Sequence, residues 1–185
     1  MKELSLHLLD IVQNSTRANA CEVAIEICED HAQNLLQIRI ADNGCGMMPE
    51  VVARITDPFS TSRTTRRVGL GLALLKAAAE QCQGSLTVTS QAGQGTTVTA
   101  TFHHDHIDRA PLGDLTTTLI GIIIGNPTCE FSYRHCVDGR TFTLDTRDIK
   151  QELGEVPINN SEVVNFLHDY LDSQIQELYK EADSL

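Results

Sequence analysis

LLQIRIADNGCGMMPE, residues 35–50, changes its period partway along. Leu36, Ile38 and Ile40 alternate with more polar neighbours, the pattern of a half-buried strand. At Asp42 the alternation stops. Gly44 and Gly46 let the backbone turn tightly and approach a planar ligand, and Asp42, just before the turn, is placed to accept from an exocyclic amine. Pro49 then suits the first turn of a short helix, PEVVARI. Taken alone, Asp-Asn-Gly is also an ordinary turn, so the neighbouring segments have to choose between the two readings.

Upstream, apolar residues recur at helical spacing from Leu4 to Ala18, with Leu8, Ile11, Val12 and Ser15 on one side. His7, Asp10, Asn14 and Arg17 line up on another. CEVAIEIC (21–28) alternates as a second strand, joined to the first by the polar EDHAQN. Downstream, residues 56–68 hold hydroxyls and arginines without a period and read as an extended loop. GLGLALLKAAAEQC (69–82) predicts a helix that Gly84 ends, and its opening amides and dipole form a natural anion site. SLTVTS and GTTVTATF, joined by QAGQG, predict a β-hairpin. This order implies an α+β, two-layer sandwich with helices on one face of a mostly antiparallel sheet.

Composition bounds the function. The net charge of −11 is uneven: residues 1–104 carry 8 basic and 10 acidic side chains, and residues 105–185 carry 6 and 15, giving −2 and −9. Such a surface repels phosphate backbones, so nonspecific binding to nucleic acid or anionic membranes is not expected. The longest apolar run, LIGIIIG at 119–125, is too short to span a bilayer, and Glu3, His7 and Asp10 interrupt any secretion-signal pattern. A cytoplasmic location follows, in which the six cysteines, with no CxxC pair, stay reduced.

Five features occur in order: an amide-bearing helix, a DxGxG turn after a strand, a basic loop, GLGL at a helix start, and Gly93-x-Gly95-Thr96 in the last hairpin. Together they resemble the GHKL superfamily of ATP-binding domains (the Bergerat-type fold), over about residues 3–103. DIVQNSTRANA is most similar to the MutL form of the first motif, and DPFSTSRTT with the segments after it to the histidine-kinase form. The resemblance implies ATP and Mg²⁺ as ligands. It assigns Asn14 to the metal ion, for which an amide oxygen is a suitable hard ligand, and Arg17 to phosphate. It gives Asp42 the adenine amino group, with Gly44, Gly46 and Met47 beneath the base and Thr96 beside it. Gly69, Leu70, Gly71 and Leu72 match the motif whose amides receive phosphate. Arg54 to Val68 take the place of the ATP lid, with Arg63, Arg66 and Arg67 able to reach phosphates.

Asp10 departs from the pattern. Hydrolysing members carry glutamate four residues before the asparagine to activate water, and aspartate presents the same charge on a shorter stem. Slow hydrolysis, phosphotransfer in trans to a protein, and a non-enzymatic switch in which nucleotide binding changes the surface offered to a partner are all compatible with it. Only the motif helix opens the sequence, so a kinase activity would act on a target supplied by another chain, as stand-alone anti-sigma-factor kinases do. His7 is expected as a polar contact near the ligand rather than a phosphoacceptor.

Composition turns acidic at HHDHIDRAPLGD, dividing an ATP-binding domain (1–104) from an acidic α+β module (105–185) that would engage a protein partner. Within it TTTLIGIII, CEFSYRHC and RTFTLDT are expected as strands, the last two joined at Asp138-Gly139. Val163, Val164, Leu167, Tyr170, Leu171, Ile175 and Leu178 form one stripe of a long helix capped by Asn160 or Ser161. That helix could pair with its twin in a homodimer, although Gln174 interrupts the stripe. The histidines at 103, 104 and 106 lie too close in sequence to converge on one metal ion.

Overall fold

The computed structural model describes residues 3–55 and 70–180. Six strands form one sheet in the order β3-β4-β2-β1-β5-β6. They are β1 (Glu22–Asp30), β2 (Leu35–Asp42), β3 (Ser85–Gln91), β4 (Gly95–His103), β5 (Glu130–Val137) and β6 (Arg140–Asp145). Four neighbouring pairs are antiparallel, and β1 and β5 run parallel.

The alternation read from the sequence sets the register. Ile25 stands opposite Ile40 on one side and Tyr133 on the other, and Ile40 stands opposite Val98, so one face of four strands is continuous and apolar. Helices α1 (Leu4–Arg17), α3 (Leu70–Gln81), α4 (Leu115–Gly125) and α6 (Ser161–Lys180) bury that face. The opposite face carries Thr87, Thr99, Gln37, Arg39, Glu26 and Arg134 and is partly solvated. The architecture is the expected two-layer α+β sandwich. No described helix is long and apolar enough to cross a membrane.

The boundary expected near residue 105 would fall between β4 and α4, and the sheet runs across that point: β5 pairs with β1 from Glu22↔Glu130 to Glu29↔Val137. α1 is fastened to the same connection. Its N-cap, Glu3, makes no side-chain cap; instead the Leu4 and Ser5 amides donate to the carbonyls of Pro111 and Leu112 at 2.9 and 2.8 Å, satisfying two of the donors a helix start leaves open.

One expected element is corrected. TTTLIGIII is not a strand but most of α4. The run is rich in β-branched residues and mimics a buried strand. Its buried positions, however, are Leu115, Thr116, Leu119, Ile120, Ile122 and Ile123, a helical spacing, and Asp114 caps the helix by accepting from the Thr117 amide at 2.8 Å. Topology requires this helix, because β4 and β5 point the same way in one sheet and need a crossover between them. A short helix the sequence reading did not anticipate, α5 (Thr146–Leu153), follows β6, its first turn capped by Asp145. The Asp138-Gly139 hairpin has positive φ at both residues (48° and 84°), as a type I′ turn demands. Asn160 caps α6 by accepting from the Glu162 amide.

At the far end of β1 a buried polar cluster joins several elements. Glu29, 4% exposed, accepts from the Tyr179 hydroxyl of α6. Its carboxylate also meets His135 Nε2 at 3.0 Å and His104 Nε2 at 2.8 Å, and Tyr133 meets His135 Nδ1 at 2.9 Å. Burial raises the Glu29 pKa, but the hydrogen bonds from His135, Tyr179 and His104 outweigh it and hold the carboxyl at about 2.

Candidate functional site

Asp42 ends β2 and anchors the site. Its Oδ1 accepts from the Gly44 amide at 2.9 Å and the Thr96 amide at 3.2 Å, and its Oδ2 accepts from the Ser15 hydroxyl at 2.7 Å. A carboxylate offers about four acceptor positions. Three are filled by these described partners, which lock the side chain and leave one for an incoming donor.

The glycine turn packs against the end of α1. The Cys45 amide donates to the Ala18 carbonyl at 2.8 Å, and a Cβ on Gly44 would sit 2.9 Å from that oxygen. Gly46 has φ +63°, and a Cβ there would lie 1.9 Å from the Gln91 carbonyl; on Gly95, φ +101°, it would lie 1.9 Å from the Asp42 carbonyl. Glycine at 46 and 95 is thus a steric requirement for bringing the β3–β4 hairpin onto the turn. Ser90 completes the junction, accepting from the Met47 amide at 2.9 Å, donating to the Gly95 carbonyl at 2.9 Å and meeting Thr96 Oγ1 at 2.9 Å.

Between these elements lies a cavity of about 240 Å³. Asp42 and Thr96 stand at one part of its wall, with Ile11, Met47, Leu72 and Val98 supplying apolar surface, and Asn14 and Arg17 also line it. A mostly apolar concavity with a few fixed polar groups is the usual form of a small-molecule site. Of the residues expected from the sequence, Asn14, Arg17, Asp42, Gly46, Met47, Leu72 and Thr96 meet here. Gly44 supports the turn from beneath Ala18. Asp10 lies outside the lining and packs on the start of α3, where a Cβ on Gly71 would be 3.2 Å from its Oδ2. Leu70 is the first residue of α3. Gly69 and the loop arginines Arg63, Arg66 and Arg67 lie outside the described residues, and Arg54 is in the last turn of α2 (Pro49–Ile55).

His7 does not share the stripe of Asp10 and Asn14. It is 3% exposed, on the core side of α1; burial lowers its pKa, and its Nδ1 has no hydrogen-bond partner among the described residues. A step of three residues from Asp10 turns it far enough to face the core. Ser15 and Ser90 are contributors the sequence reading missed. A hydroxyl on the apolar side of α1, directly after Asn14, was the available signal for Ser15; Ser90 sits in an ordinary Thr/Ser strand and gave none. No group of three or more His, Cys, Asp or Glu side chains suited to a metal ion occurs among the described residues.

Residues 2–106 match the model of a family described as histidine kinase-, DNA gyrase B-, and HSP90-like ATPase. The non-motile and phage-resistance protein of Caulobacter vibrioides is 34% identical over 115 residues, which cover 59% of this chain and 14% of that protein. The histidine protein kinase SaeS of Staphylococcus aureus is 36% identical over 86 residues, 44% of this chain and 24% of the kinase. The chain thus spans a quarter or less of these relatives. Among solved structures, the N-terminal domain of a DNA repair protein superposes with a TM-score of 0.56 at 19% identity, covering 78% of this chain and 53% of that one, a likeness of fold.

Proposed function

This chain belongs to the family of histidine kinase-, DNA gyrase B- and HSP90-like ATPases, and from that premise we propose that it binds ATP with Mg²⁺ in the cavity beside Asp42 and couples its occupancy to a protein partner through residues 105–185. The observation that carries this reading is the Asp42 carboxylate, held by three described hydrogen bonds with one acceptor position left at the wall of an apolar cavity. An adenine amino group is a donor of the right kind, and Ile11, Met47, Leu72 and Val98 suit the faces of a base. Asn14 and Arg17 belong to the same lining, where a neutral amide oxygen would ligate Mg²⁺ and a guanidinium would meet phosphate. The ion, when bound, neutralises charge on the phosphates. Leu70 and Gly71 at the start of α3 would add backbone amides to the phosphate site.

Calorimetric titration with ATP·Mg²⁺ tests the reading. Binding is expected in the native chain and is expected to be lost in Asn14→Ala and Asp42→Ala; a native chain that binds no nucleotide overturns it.

Slow hydrolysis or phosphotransfer in trans is the proposed activity of a cytoplasmic protein. A second reading, a switch without turnover, is favoured by Asp10, whose short side chain packs against Gly71 rather than lining the cavity. Phosphate release by the native chain that disappears in Asp10→Asn supports hydrolysis; binding without any release supports the switch or the trans kinase, which radiolabelled transfer to an added protein separates.

A further inference from the structure

A second concavity shares no lining residue with the cavity beside Asp42. It is a groove of about 540 Å³ between α5 and α6, lined by apolar side chains that include Leu144 and Leu167. Two aromatic rings project into it. Phe166 is 68% exposed and Tyr170 41%; they stack with centroids 6.1 Å apart and planes 5° apart. Tyr170 meets Phe142 of β6 edge-on at 5.9 Å, which fixes the pair to the sheet. A rigid apolar surface open to water is the form taken by interaction sites rather than by idle protein surface.

The charge around the groove selects what covers it. Asp148 and Glu152 on α5 and Glu162 on α6 line it, and among the described residues no lysine, arginine or histidine does. None of these three carboxylates makes an ion pair among the described residues, while the cations of α5 are already engaged, Arg147 with Asp145 and Lys150 with Glu130, each at 2.8 Å. A second copy of the chain would bring like charge against like. An anionic membrane would be repelled for the same reason, and a small apolar ligand would leave the acidic rim without a role.

We infer that the α5–α6 groove docks an amphipathic helical segment of a partner protein, its apolar side chains seated on Phe166 and Tyr170 and its lysines or arginines facing Asp148, Glu152 and Glu162. This is recognition of a helix by a groove, with anchors at helical spacing. It deepens the proposed function and rests on it for one point, that residues 105–185 engage a partner.

The probe is a synthetic helical peptide with leucine and phenylalanine on one face and lysine on the other, its binding to the full chain followed by fluorescence anisotropy. A peptide of the same pattern with glutamate in place of lysine is the control. The lysine peptide is expected to bind at least tenfold more tightly than the glutamate peptide, and to lose about tenfold in Phe166→Ala and in the Asp148→Lys, Glu152→Lys double variant. Each variant should keep the native far-ultraviolet dichroism and ATP affinity. Should Phe166→Ala fail to fold, the charge reversal, on exposed positions, carries the test. Equal binding of the two peptides overturns the inference, as does a native dimer that Phe166→Ala makes monomeric. Peptide binding by a chain that takes no nucleotide would overturn the nucleotide reading and leave this one standing.

Discussion

Ser15 of α1 and Asp42 of β2 are joined by a 2.7 Å hydrogen bond between residues 27 apart in sequence. The hydroxyl also reaches the Ile11 carbonyl at 3.3 Å. A bond to an ionised acceptor contributes about 1.5–3 kcal/mol, and this one fixes the carboxylate oxygen that faces α1. Ser15→Ala is expected to weaken ATP binding about tenfold and to lower stability by about 1.5–3 kcal/mol; calorimetry on the variant that returns the native affinity would remove Ser15 from the site.

The glycines of the β3–β4 hairpin separate steric need from conformational preference. Gly93 and Gly95 both have positive φ, but a Cβ at 93 meets nothing within 4 Å, while at 95 it meets the Asp42 carbonyl at 1.9 Å. Gly93→Ala is expected to cost about 1 kcal/mol and Gly95→Ala about 3 kcal/mol or more, since collision adds to left-handed strain. Urea unfolding of the pair checks the order, and equal costs would contradict the packing of the hairpin on the turn.

Acid should loosen the far end of β1. The Glu29 carboxyl is held at about 2 against an ordinary value of 4.5, so its contribution is complete above pH 4.5 and is lost as pH falls towards 2. Glu29→Gln is expected to lower stability at neutral pH by about 3 kcal/mol, because His135 loses its buried partner, and to flatten the fall of stability between pH 4.5 and 2. Denaturant titrations across that range would show parallel curves for the two proteins if Glu29 carried no such role.

Leu171 on α6 is fully buried, part of the stripe through which α6 packs against α4 and the sheet. Leu171→Ala is expected to lower stability by about 3 kcal/mol, whereas Phe166→Ala, on the exposed side, should stay within about 0.5 kcal/mol. Thermal melts that ranked the two the other way would show that α6 packs on a different face.

The described part of the first hundred residues was readable because period and punctuation agreed. Ile38 and Ile40 alternate, Asp42 and the glycines break the run, and Leu72, Leu75 and Ala79 mark the helix that follows, each at a position the structure buries or turns as expected. The second part was harder to read for a physical reason. LIGIII is apolar on every side and therefore has no period to reveal, and the signal that identifies it as α4 is the single cap at Asp114. His7 shows the limit within a motif, because a spacing of three residues admits either face of α1 and only the packing against α3 and α4 chooses the core. The bonds from Ser15 and Ser90 depend on distance across the sheet, which no local pattern encodes.

The parallel pairing of β1 with β5 has a practical side. β1 alternates Val23, Ile25 and Ile27 and is flanked on both sides; cleavage of the polypeptide after residue 104 would leave one whole side of it bare, an invitation to self-association. Anyone wishing to work with residues 1–104 by themselves would do well to leave the acidic remainder attached, or to supply β5 from elsewhere as a splint.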